Sequence, residues 1–122
     1  MSAIDRMLEA ARRNLDRVEP TDLAAEADAG ALVIDTRPAV NRRDEGELPG
    51  AIVVERIHLE WRLDPSSPHR IEGFDETSRV IIVCNEGYSS SLAAATLRDL
   101  GLRRATDLVG GYRAWRASRA PS

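Results

Sequence analysis

Four short apolar runs constrain this chain more than any other feature: Ala31-Leu-Val-Ile-Asp35, Ala51-Ile-Val-Val54, Val80-Ile-Ile-Val83 and Ala105-Thr-Asp-Leu-Val109. Each is too short for a stable helix, and they are rich in β-branched side chains that suit a pleated surface. A strand that is apolar along its whole length has both faces covered. Between these runs lie segments with helical spacing. The alternation predicts an α/β fold: a mainly parallel central sheet of about four to five strands, helices on both faces and right-handed crossovers. In such sheets ligands bind beyond the carboxyl ends of the strands. Asp35, Glu55, Cys84 and Val109 stand at or just past those ends, so the turns that follow them share one rim.

The intervening helices read as follows. Ser2 to Val18 carries Ile4, Leu8, Ala11, Leu15 and Val18 at helical spacing, with Ser2 as its cap. It is expected as an appended N-terminal helix on a single domain spanning 1–122. Pro20 and Gly30 bracket a second helix from Thr21 to Ala29. Ala39 to Gly46 is short and heavily charged, and Glu55 to Leu63 ends at Asp64-Pro-Ser-Ser-Pro68. His69 to Ser78 is a surface connection with one helical turn near Asp75. The helix after Ser90 places Leu92, Ala95 or Thr96, and Leu100 on one side and stops at Gly101. Gly110-Gly111 opens a last helix from Tyr112 to Arg119, and Pro121 ends the chain.

Composition narrows the function classes. A net charge of -3 and a pI near 5.4 argue against nucleic acid or an anionic membrane as the main partner. No apolar run approaches the length of a membrane span, and the N-terminus lacks a secretory pattern. A single cysteine forms no internal disulfide, which fits a reducing cytosol, and it excludes a CxxC redox pair or a cysteine-rich zinc site. His58 and His69 stand too far from a second ligand-like residue to suggest a metal. Neither a metal nor an organic cofactor is expected. All 17 basic residues are arginine, which reads as a genomic base-composition bias. Oligomeric state stays open, although the long first helix could support a dimer.

The one cysteine sits where the third strand turns into a helix, in Cys84-Asn-Glu-Gly-Tyr-Ser-Ser90. Backbone N–H groups from Asn85 to Ser90 are expected to point inward around it, with the positive end of the helix dipole behind. Such a setting lowers a thiol pKa and can hold an anion. A lone Cys is commonly a small core hydrophobe; the strand-to-helix position favours a nucleophile instead.

Three further motifs, in order along the chain, resemble the single-domain rhodanese-like sulfurtransferases over roughly Glu19 to Pro121. Asp35-Thr36-Arg37 resembles the family's Asp-x-Arg at the end of the first core strand. Glu45-Gly-Glu-Leu-Pro-Gly-Ala-Ile52 is similar to its Gly-His-Ile-Pro-Gly-Ala run, with Glu47 in the histidine position. Leu108-Val-Gly-Gly-Tyr-Arg-Ala-Trp115 resembles its Gly-Gly-x-x-x-Trp ending. The resemblance implies a sulfurtransferase that moves a sulfane sulfur through a Cys84 persulfide, from a small donor to a thiol or cyanide acceptor, with a protein partner as another option. The alternative is a non-catalytic rhodanese-like module used for binding or regulation.

The loop departs from the family's commoner Cys-x-x-Gly-x-Arg-Ser/Thr pattern. Cys84, Gly87 and Ser90 match, but Ser89 stands where the arginine would be, Asn85 and Tyr88 are neutral, and Glu86 is acidic. Loop length from Cys84 to Ser89 matches the sulfurtransferase branch. The phosphatase relatives need one more residue and the arginine. A dianionic donor such as thiosulfate should therefore bind poorly, and Arg56, two residues past the second strand, is the rim residue best placed to compensate. Asp35 reads as a structural ion-pair partner, while Arg37 suits either fold support or a substrate contact. Gly87 is expected to permit a positive φ. Tyr88 suits a pocket wall or an exposed aromatic, and Ser89, Ser90 and Ser91 read chiefly as helix caps. Trp61 could wall the pocket or cover core, and Trp115 reads as core. Whether Glu86 faces the thiol or solvent stays open.

Overall fold

A computed structural model describes residues 1–119; Pro121 lies outside the described residues. Four strands, β1 (Leu32–Asp35), β2 (Ile52–Val53), β3 (Val80–Val83) and β4 (Ala105–Asp107), form one sheet in the order β2-β1-β3-β4. Every pairing is parallel, with Leu32 opposite Val80 and Val80 opposite Ala105. The helices are α1 (Ala3–Arg12), α2 (Leu23–Asp28), α3 (Ala39–Glu45), α4 (Leu59–Leu63), α5 (Ser89–Asp99) and α6 (Gly111–Ser118). Short 3₁₀ turns at Pro20–Asp22 and Arg56–His58 lead into α2 and α4.

The apolar strands sort their side chains by the two-residue period of a strand. Ile34, Val80 and Ile82 face one core with Leu59, Leu63, Ala93, Ala94 and Leu97. Val33, Ile81 and Val83 face the other with Val18, Leu23, Leu108 and Tyr112. The central strand β3 is fully buried, at 0% exposure for all four residues. Each such Val or Ile contributes about 1.5–3 kcal/mol of hydrophobic burial. β2 lies at the sheet edge, and both of its residues are exposed.

Two expectations from helical spacing are overturned. The first helix does not run to Val18 but ends at Arg12. Val18 instead extends alongside Leu108: its N–H donates to the Asp107 carbonyl at 2.9 Å, and its own carbonyl accepts from the Val109 N–H at 2.9 Å. A buried β-branched residue with two sheet-like hydrogen bonds outweighs another turn of helix. On α5 the buried residues are Ser90, Ser91, Ala93, Ala94 and Leu97, and Leu100 is exposed. The alanines bring the α5 backbone close to the sheet, so the small residues rather than the leucines at 92 and 100 mark the inner face.

Candidate active site

The parallel strands bring the turns after β1, β2 and β3 to one rim. There a cavity of about 290 Å³ is lined by Thr36 and Arg37, by Glu55, Arg56 and Ile57, and by the Cys84 loop. Asn85, Glu86 and Ser89 line it together with Cys84; Tyr88 and Ser90 do not. Cys84 itself is 5% exposed. Its Sγ accepts the Gly87 N–H at 3.2 Å. Among the described residues it is the one amide on the sulfur, where the sequence suggests a ring of them.

The loop owes its shape to what holds its carbonyls. The Cys84 carbonyl accepts from the Tyr112 N–H at 2.8 Å and the Asn85 carbonyl from the Arg113 N–H at 3.0 Å, both from the first turn of α6. The Gly87 carbonyl accepts from Arg12 Nη2 at 2.8 Å and Arg17 Nη2 at 3.1 Å. Three loop carbonyls are thus engaged by groups from outside the loop. Gly87 has φ +79°, and a Cβ there would lie 2.6 Å from the Gly110 nitrogen. Gly111 has φ +65°, and its Cβ would meet the Cys84 carbonyl oxygen at 2.5 Å. The paired glycines let α6 close against the loop.

Behind the loop lies a polar cluster that sequence reasoning did not find. Asp107, wholly buried at the end of β4, accepts from Ser90 Oγ at 2.8 Å and from Ser91 Oγ at 2.7 Å. Arg17 makes a forked pair to the same carboxylate, at 2.9 and 3.2 Å. Arg12 Nε donates to Ser91 Oγ at 2.9 Å. Ser90 and Ser91 are therefore not helix caps, and neither is Ser89, the first residue of α5 itself. The residue preceding α5 is Tyr88, with no side-chain cap bond. The available signal was Asp107, a charged residue in a short strand read as buried, which demands a buried partner.

Asp35 and Arg37 form a buried forked ion pair, with the closest contact at 2.8 Å. Asp35 also accepts the Arg37 backbone N–H at 3.0 Å, and Arg37 donates to the Gly46 carbonyl at 2.9 Å. The guanidinium carbon stacks 3.8 Å from the Tyr112 ring centroid, a favourable cation–π geometry. Arg56 lines the cavity, but its Nη1 donates to both carboxylate oxygens of Glu60, at 2.8 and 2.9 Å. Glu86 turns outward, 60% exposed, onto Arg113 at 3.2 Å. Arg113 also holds Glu45, and its hydrogen bond, helped by Asn41, lowers the Glu45 pKa from 4.5 to about 2. Tyr88 is exposed. Trp61 is exposed between the rings of His58 and His69, 5.9 and 4.7 Å away between centroids. Trp115 packs on the second core cluster. Among the described residues, no group of three metal-ligating side chains occurs and no helix is long and apolar enough to cross a membrane.

A parallel α/β sheet that ends in a cysteine-bearing loop, closed by a Gly-Gly turn, defines the class. The rhodanese-like domain model matches residues 19–118, and this chain belongs to that family. It is 30% identical over 103 residues to the thiosulfate sulfurtransferase GlpE of Pseudomonas fluorescens, covering 84% of this chain and 85% of that protein. A Rhodopseudomonas palustris protein of unknown function, described as a possible tyrosine phosphatase, superposes with a TM-score of 0.86 at 30% identity, over 99% of this chain and 94% of that one. The human single-domain sulfurtransferase TSTD1 shares the fold, with a TM-score of 0.72 at 22% identity over 85% and 97% of the two chains.

Proposed function

We propose that this chain is a sulfurtransferase that carries sulfane sulfur as a persulfide on Cys84. One observation carries the reading: Cys84 is among the residues that line the rim cavity, and its Sγ accepts the Gly87 N–H at 3.2 Å. An amide aimed at sulfur favours the thiolate, the form that attacks. The thiolate attacks the outer sulfur of a donor. A new S–S bond forms as the donor's own breaks, and the departing group keeps the electron pair. A thiol or cyanide acceptor then attacks the outer sulfur and returns the thiolate. No side-chain base is needed once the thiol has given its proton to solvent. Asn85 and Ser89 contribute polar walls, and Gly87 supplies the amide.

Donor choice follows from the charges. Of the two arginines among the lining residues, Arg37 is held by Asp35 and Arg56 by Glu60, so neither has a guanidinium free of a carboxylate. Thiosulfate is accordingly a poor donor, and a less charged persulfide is a better one. The same balance, with no arginine from Cys84 to Ser90, speaks against phosphate-ester chemistry. Incubation of the protein with thiosulfate or a small persulfide, followed by mass spectrometry, tests the reading. The expected product is one added sulfur on Cys84, formed readily from the persulfide and absent in Cys84→Ser. Transfer activity retained by Cys84→Ser would overturn it.

A second reading, a non-catalytic binding module, is favoured by the near-complete burial of Cys84 at 5% exposure. Alkylation of Cys84 across pH separates the two. A thiol pKa near or below about 7 supports the enzyme, and a value at or above about 8.5 supports the module.

A further inference from the structure

We propose that Arg12 and Arg17, from the segment that precedes the rhodanese-like region, are positioning residues that ionise Cys84 in place of the arginine missing from the loop. The inference rests on the reading of Cys84 as a thiolate nucleophile. Residue 89, where the commoner loop has its arginine, is serine. From behind the loop, both guanidiniums instead grip the Gly87 carbonyl, at 2.8 and 3.1 Å. The Gly87 N–H is the donor on Cys84 Sγ. A residue with φ +79° is fixed here by its neighbours, and its carbonyl is the handle. With that carbonyl drawn to the arginines, the amide on the preceding peptide is held on the sulfur. The trans peptide that follows turns the Tyr88 N–H away from the guanidiniums, since N–H and C=O point oppositely.

Charge works in the same direction. The charged groups near the loop are the Asp35–Arg37 pair at the end of β1, Glu55 and the Arg56–Glu60 pair after β2, Glu86 of the loop with Arg113 of α6 and Glu45 of α3, Arg116 of α6 on the Glu45 carbonyl, and, behind, Asp107 with Arg17 and Arg12 on the Gly87 carbonyl. At the front Arg37, Arg56 and Arg113 are each engaged by a carboxylate, so none of them is a free cation for the thiol. Behind, Arg17 is paired with the Asp107 carboxylate, while Arg12 lies on Ser91 Oγ and the Gly87 carbonyl with no carboxylate on it among the described residues, so that side carries two guanidiniums against the one carboxylate of Asp107. Arg17 is 19% exposed on its side chain, which limits screening by solvent. Neither arginine lines the cavity, so they act on the thiol and leave the donor site without a free cation.

The test is the pH dependence of iodoacetamide alkylation of Cys84 in the full chain, in wild type, Arg12→Gln/Arg17→Gln and Arg12→Lys/Arg17→Lys. In the Gln pair the thiol pKa should rise by about one unit, which lowers the alkylation rate at pH 6 about tenfold with the high-pH plateau unchanged. The Lys pair keeps charge and donor and should restore most of the wild-type profile. A low wild-type pKa that the Gln pair retains overturns this inference and leaves the sulfurtransferase reading intact. A rise that the Lys pair does not reverse also overturns it. A wild-type pKa near about 8.5 removes the nucleophile reading itself, and this inference with it. If circular dichroism shows the Gln pair unfolded, Arg12→Gln alone, which leaves the Arg17–Asp107 pair in place, is read by the same criteria.

Discussion

Replacing Gly111 with alanine isolates the contact that shapes the Cys84 loop. The added Cβ would stand 2.5 Å from the Cys84 carbonyl oxygen and 2.7 Å from the Asn85 carbonyl carbon and oxygen. Ordinary contact begins at 3.4 Å, so loop and helix must part by roughly 0.9 Å, the difference between 3.4 and 2.5 Å. The obstacle is backbone on both sides, and no flexible side chain can swing away. Overpacking of this kind costs about 1–3 kcal/mol. The positive φ adds about 1–2 kcal/mol for any residue with a Cβ. Together they predict a loss of about 2–5 kcal/mol, read as a fall of about 1–3 M in the urea midpoint. Gly101→Ala is the control, because its φ is +108° and nothing lies within 4 Å of the added Cβ. It should lose about 1–2 kcal/mol, the backbone share alone. Cys84 alkylation should change in Gly111→Ala and not in Gly101→Ala. If the two variants unfold at the same urea concentration and alkylate alike, the close approach of α6 to the loop does not set its geometry.

Two further outcomes follow from the buried and paired charges. Asp35→Ala leaves the fully buried Arg37 guanidinium without its carboxylate and should cost about 3–5 kcal/mol in urea unfolding; Asp35→Leu with Arg37→Met should cost far less, because no lone charge remains. Glu45 is a carboxylate whose pKa falls on folding, from 4.5 to about 2, chiefly through Arg113. Its stabilising share is complete above pH 4.5 and is lost as pH falls through about 2. The difference in urea midpoint between wild type and Arg113→Gln should therefore shrink over that window, and carboxyl NMR should find Glu45 titrating nearer 4.5 in the variant.

The four strand segments were legible because local chemistry and burial agree there. Val80–Val83 is β-branched and apolar throughout and lies at the sheet centre, so the pattern and the environment say the same thing. The position of Cys84 at the strand end, the Asp35–Arg37 pair and the positive φ of Gly87 were legible for a similar reason, since each depends on neighbours close in sequence. The helical spacing of Leu15 and Val18 misled, because the pairing of Val18 with Leu108 spans ninety residues (18 to 108). The serines after Tyr88 misled likewise: a cap is a local bond, and Asp107 offered a stronger, charged acceptor from another strand.

By itself the sequence determined a parallel α/β sheet with its one thiol at the rim, because strand burial and helix spacing are written in consecutive residues. Only the tertiary structure decided which charges face that thiol. Arg12 and Arg17 lie more than sixty residues before Gly87, and no spacing rule links them to it. The distances that set an electrostatic field exist only once the chain has packed.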